Sequence, residues 1–146
     1  LPICCLINLL DPARQASAIE ELARRVKPGG TLILLENFAA SHARLNELRV
    51  LGGLPERPPA EHNRFFGDDL LEPGRFDGLE LVEVDDFGAL HDLVLYVLVP
   101  MLESGEVVYE HPLVEAATTL SLRGAVEKLG LGATGQNRLL RFSRTG

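Results

Sequence analysis

Residues 1–36 hold two short apolar runs on either side of one well-marked helix, and that succession limits the fold more than any other feature of the chain. Ile3 to Leu9 (Ile-Cys-Cys-Leu-Ile-Asn-Leu) is apolar at both parities, the pattern of a strand buried on both faces. Asp11-Pro12 follows, an N-cap residue and a proline at the first helical position. Ile19, Leu22, Ala23 and Val26 then recur at helical spacing and give one apolar stripe. Arg24, Arg25 and Lys27 fall in the last turn, where cations suit the helix dipole, and Pro28-Gly29-Gly30 ends the helix. Thr31 to Leu35 is the second buried run, ending in Glu36-Asn37-Phe38. Strand, helix, strand in this order predicts a right-handed crossover between parallel neighbours.

Further along, Ser41 caps a second predicted helix through Leu51, with Leu45, Leu48 and Leu51 on one face and Gly52-Gly53 closing it. Leu54 to Asn63 carries Pro55, Pro58 and Pro59 and reads as an extended loop. Asp68 or Asp69 starts a helical turn that Pro73-Gly74 ends, and Leu79 to Asp86 reads as a strand. Leu90 to Leu102 is ambiguous between strand and buried helix, and helix is the preferred reading. Val114 to Leu129 is a predicted helix and Arg138 to Ser143 a closing strand. No repeat, low-complexity tract or linker divides the chain.

The 146 residues are about one domain's worth, enough for a core without disulfides. Fourteen Lys and Arg against 21 Asp and Glu give a net charge of −7. That balance argues against nucleic acid and anionic membrane as partners, both of which need a cationic face. No apolar run approaches the ~18 residues of a membrane span. Cys4 and Cys5 are the only cysteines; adjacent in a strand they point to opposite faces, so a reducing cytoplasm is the expected setting. Leu1 is neither an initiator methionine nor the start of a signal peptide, and is read as a break in something longer.

Asn8 ending a buried run, the amphipathic helix, and Lys27-Pro28-Gly29-Gly30 before a strand ending in Glu36 resemble the second half of a class I S-adenosylmethionine-dependent methyltransferase. Leu45-Asn46-Glu47-Leu48-Arg49, Gly53-Leu54-Pro55, His62-Asn63-Arg64 and Gly135-Gln136-Asn137-Arg138-Leu139 extend the resemblance to a branch acting on small molecules. It covers nearly the whole chain. It implies a partial doubly wound α/β sheet of Rossmann-like type, parallel except for an antiparallel C-terminal strand beside the Thr31 strand. Residues 1–146 would then be the C-terminal part of one domain, inactive alone. Methyl transfer from S-adenosylmethionine to a small-molecule acceptor is the function implied. The same family holds its cofactor by a Gly-rich loop after the first strand and an acid ending the second. Gly29-Gly30 lies between helix and strand, and Gly130, Gly132 and Gly135 follow a helix, so neither set supplies that loop.

By the same resemblance Asn8 is the candidate contact near the donor sulfonium, while Glu36 would orient substrate or accept a proton. Both are equally explained as partners of nearby loop backbone. His62 is the candidate general base, since histidine titrates near neutrality, and Asn63 beside it is a candidate substrate contact. Each is also an ordinary loop residue. Asn46 and Arg49 share a helix face and suit a substrate carboxylate or phosphate, or a solvated pair. His91 and His111 lie apart, no metal-ligand spacing occurs, and Ser104-Gly105 lacks a triad context. The rival reading is a non-catalytic interaction or dimerisation module using the apolar segment Leu93–Val99, and a homodimer is compatible with either.

Overall fold

A computed structural model of the chain describes residues 2–86, 88–124 and 135–146. They belong to two compact units, the first of residues 1–39, 59–85 and 138–146, the second of residues 40–58 and 86–137.

In the first unit, helix α1 (Pro12–Arg25) begins as its sequence dictates, with Asp11 Oδ1 accepting the Ala13 N–H at 2.9 Å. Glu21 receives Arg24 and Arg25 at 2.7 and 2.9 Å, surface pairs that add little stability. Strand β1 (Thr31–Asn37) turns Leu32, Leu34 and Glu36 to the buried side. Strands β2 (Leu79–Asp85) and β3 (Asn137–Arg144) complete a sheet of order β1-β3-β2. Register runs from Leu79 opposite Arg144 to Asp85 opposite Leu139, with an irregularity between Leu81 and Glu83. The core joins Ile19 and Ala23 of α1 to Leu32, Leu34, Leu140 and Phe142 of the sheet. Phe76 meets Phe142 edge to face at 6.2 Å, and Phe38 packs on Phe66 at 6.0 Å.

The Lys-Pro-Gly-Gly turn is built into this sheet. Gly29 sits at φ +74°, open to glycine at little cost, and its N–H donates to the Arg144 carbonyl at 2.9 Å. A Cβ on Gly30 would lie 2.8 Å from the Lys27 carbonyl oxygen, so the second glycine is required by close approach. The Gly30 carbonyl accepts the Arg144 N–H in return, at 2.8 Å.

The expected parallel, Rossmann-like sheet does not form. The sheet is three-stranded, open and antiparallel throughout, with β3 between β1 and β2. The expected first strand, Ile3–Leu9, is reduced to one parallel bridge from Ile3 to Leu35. Past that bridge Cys4 takes φ +47°, and Leu6–Asn8 closes a 3-10 turn. The cause lies across the chain: Glu36 accepts the N–H groups of Cys5 and Leu6, both at 3.2 Å, and so draws them out of any sheet ladder.

In the second unit, helix α2 (Ala39–Leu51) buries Leu45 and Arg49. Residues 89–102 are helical, as the sequence suggests, but in three pieces: α3 (Ala89–Leu93), a π-helical turn (Val94–Leu98) and α4 (Val99–Leu102). Pro100 accounts for the break. It has no N–H for the Tyr96 carbonyl four residues back, and its ring crowds that carbonyl. Helix α5 (Pro112–Leu122) is capped by His111, whose Nδ1 accepts the Leu113 N–H at 3.1 Å. Its Val114 and Ala117 pack on Val94, Leu95 and Val99. Ala125 and Leu129, expected in the same helix, lie outside the described residues. No described helix is long and apolar enough to cross a membrane.

Candidate functional site

Three segments of the first unit converge at the carboxyl end of β1. Glu36 is fully buried, with Oε1 under the N–H groups of Cys5 and Leu6 and Oε2 without a hydrogen-bond partner among the described residues. Burial pushes this carboxyl above the usual glutamate range, against the opposing pull of the backbone N–H groups. Its neighbour Asn37 accepts a hydrogen bond from Cys4 Sγ at 3.3 Å. Asn8 ends the 3-10 turn exposed, with Nδ2 3.4 Å from the Cys4 carbonyl.

The loop bearing His62 and Asn63 is fastened to the same place. The Asn63 N–H donates to the Ala60 carbonyl at 2.8 Å, closing a turn with His62 exposed. Immediately after it, the Arg64 N–H donates to the Ile7 carbonyl at 2.6 Å, and Phe66 bridges to Phe38. Gln15 of α1 locks both: its Nε2 donates to the carbonyls of Leu6 at 3.2 Å and Arg64 at 2.8 Å. Beside this clamp lies a cavity of about 290 Å³ lined by Gln15, Arg64, Phe65, Asp69, Leu70 and Arg75 among others. Thus the turn bearing His62 and Asn63 is tied through Arg64 to the turn bearing Asn8, next to Glu36, which faces backbone; none of these four residues lines the cavity.

Asn46 and Arg49 belong to the second unit and are engaged with main chain. Asn46 Oδ1 accepts the Arg57 N–H at 3.0 Å, and its Nδ2 donates to the Arg57 carbonyl at 3.2 Å. Arg49, 4% exposed, donates through Nε to the Pro55 carbonyl at 2.9 Å and through Nη1 to the Tyr96 carbonyl. The latter is the carbonyl that Pro100 leaves without its α-helical donor. Burial, and the charge of Arg57, lower the affinity of Arg49 for its proton.

Around them is a polar cluster that sequence reading missed. His42 places Nε2 2.7 Å from the Arg57 carbonyl and Nδ1 3.0 Å from Gln136 Oε1. Arg57 also donates to Gln136 Oε1 at 3.1 Å and stacks 4.0 Å above the Tyr96 ring. Burial, then a hydrogen bond with Tyr109, raises the Tyr96 phenol above its ordinary range. Asp92, 4% exposed, accepts from His91 Nδ1 at 2.9 Å and from the Gln136 N–H at 2.7 Å. These partners are far apart in sequence; only the adjacent His91-Asp92 pair offered a local signal.

Of the residues the resemblance assigns, Glu36 is turned onto backbone, and Asn8, exposed, has Nδ2 3.4 Å from the Cys4 carbonyl; neither forms a built site for S-adenosylmethionine. Nor, among the described residues, do three His, Cys, Asp or Glu side chains group to hold a metal ion. No protein-family model, curated protein or solved structure matches the chain.

Proposed function

We propose that the chain carries the acceptor side of S-adenosylmethionine-dependent methyl transfer to a small molecule, in the cytoplasm. The observation that carries this reading is the backbone tie of the segment after His62 to the Leu6–Asn8 turn and to the end of β1, with a cavity lined by Arg64, Phe65 and Phe66 next to it. The order of the sequence motifs supports it. Neither Cys4 nor Cys5 is joined in a disulfide, which supports a reducing compartment. No donor-binding role falls to the described residues. Methyl transfer asks chiefly for alignment of acceptor and methyl group with water excluded, and removal of a proton is an added aid.

His62 is the base in this reading. The test is transfer of labelled methyl to a panel of small phenols, carboxylates and amines by the protein that carries this sequence, wild type and His62→Ala. Turnover falls about 10²–10⁴-fold in the variant while donor affinity holds. Full turnover in the variant removes His62 from the chemistry; no transfer to any acceptor removes the whole reading.

A second reading, a non-catalytic interaction module, is favoured by one observation. Val50, Leu51, Leu98, Met101 and Leu102 of the second unit are exposed, while Asn46 and Arg49 serve the backbone. Sedimentation showing a tight complex without any transferase activity would support it.

A further inference from the structure

We propose that the cavity at the start of α1 binds a small hydroxylated carboxylate, its hydroxyl on Gln15 and its carboxylate on Arg64. The inference rests on the acceptor reading for the ligand's purpose and on the cavity alone for its chemistry. Gln15 is 3% exposed, and its Nε2 is held by two backbone carbonyls. Its amide is therefore fixed in orientation, and Oε1, which has no partner among the described residues, is what it offers to the cavity it lines. An acceptor atom held this way selects a donor, a hydroxyl or N–H.

The charges select the rest. Arg75 Nε stands 3.8 Å from Asp69 Oδ2, so these two lining charges offset one another. Arg64 has no side-chain partner among the described residues, because its ties to Ile7 and Gln15 run through its own N–H and carbonyl. The lining is left with one uncompensated guanidinium, the group best shaped for a carboxylate. Phe65 and Leu70 add apolar wall, and about 290 Å³ suits a single substituted ring.

Calorimetry and amide NMR on the whole chain with 3-hydroxybenzoate, 3-hydroxybenzamide and benzoate test this. The hydroxybenzoate binds and shifts amides within residues 12–16 and 64–75. Losing the charge (the amide) weakens binding at least about tenfold, and losing the hydroxyl (benzoate) weakens it severalfold. Arg64→Gln keeps both backbone ties, so the fold persists by circular dichroism; it weakens the hydroxybenzoate about tenfold and leaves the hydroxybenzamide unchanged. Equal binding of acid and amide, an Arg64→Gln protein with unaltered affinity, shifts confined elsewhere, or no binding at millimolar ligand would each overturn the proposal. Binding without methyl transfer leaves the site standing and removes the acceptor reading; transfer to acceptors without this binding does the reverse.

Discussion

Glu36 stands where the alternation of β1 calls for a hydrophobe, after Leu32 and Leu34 on the same face. Its raised proton affinity gives stability a definite pH dependence. The folded state holds the proton more tightly than the unfolded chain, so this contribution is complete below the ordinary glutamate value and is lost as pH rises through the raised one. Glu36→Gln keeps an oxygen for the Cys5 and Leu6 N–H groups and removes the charge. Its urea midpoint is expected to exceed that of wild type at pH 7, with the gap closing as pH falls toward the ordinary glutamate range. A variant that is less stable at every pH would refute this account. The same residue explains why the start of the chain is not the strand its composition suggests. Ile3–Leu9 has a strand's composition, and nothing local shows that a carboxylate some 30 residues on will take its N–H groups.

At the scale of elements, Arg49 and Pro100 are two halves of one arrangement. The proline withholds a donor from the Tyr96 carbonyl, and the arginine on α2 supplies one. Arg49→Met should cost about 2–3 kcal/mol, because a charged donor to two partly buried carbonyls is lost. In a Pro100→Ala background the cost should fall by about 1 kcal/mol, since residue 100 can then donate; chemical denaturation of the four proteins measures this coupling. Strict additivity would separate the two residues. The outer strand β2 offers a different test. Val82 and Val84 are exposed on a strand with a free edge, an invitation to pairing between chains. Val84→Lys should reduce concentration-dependent association in sedimentation experiments. Most elements were legible in sequence because their signals are local: the Asp11-Pro12 cap, the alternation of β1 and the proline-rich loop. The π turn was not, since its cause combines Pro100 with a side chain from another helix. The site was legible only in part. His62, Asn63 and Asn8 stood out as polar residues at element ends, whereas Gln15 looks like any helix residue until its two carbonyl partners are known.

At the scale of the whole molecule, residues 1–146 should bind S-adenosylmethionine weakly or not at all, because the described residues offer its ribose no acid. Calorimetry giving micromolar affinity would show that the donor site has been misplaced. The position of β3 carries a consequence for biosynthesis. The central strand of the sheet is the one translated latest, roughly 50 residues after β2 and 100 after β1. At ordinary elongation rates β1 waits on the ribosome for about 5–20 s and β2 for about 3–10 s, each with its inner edge open. A nascent chain stalled before Asn137 should therefore be protease-sensitive throughout the first unit and should recruit chaperones. One stalled with β3 clear of the exit tunnel should become resistant in a single step. The turn at Gly29 and Gly30, formed early, is closed only when Arg144 arrives to exchange hydrogen bonds with it.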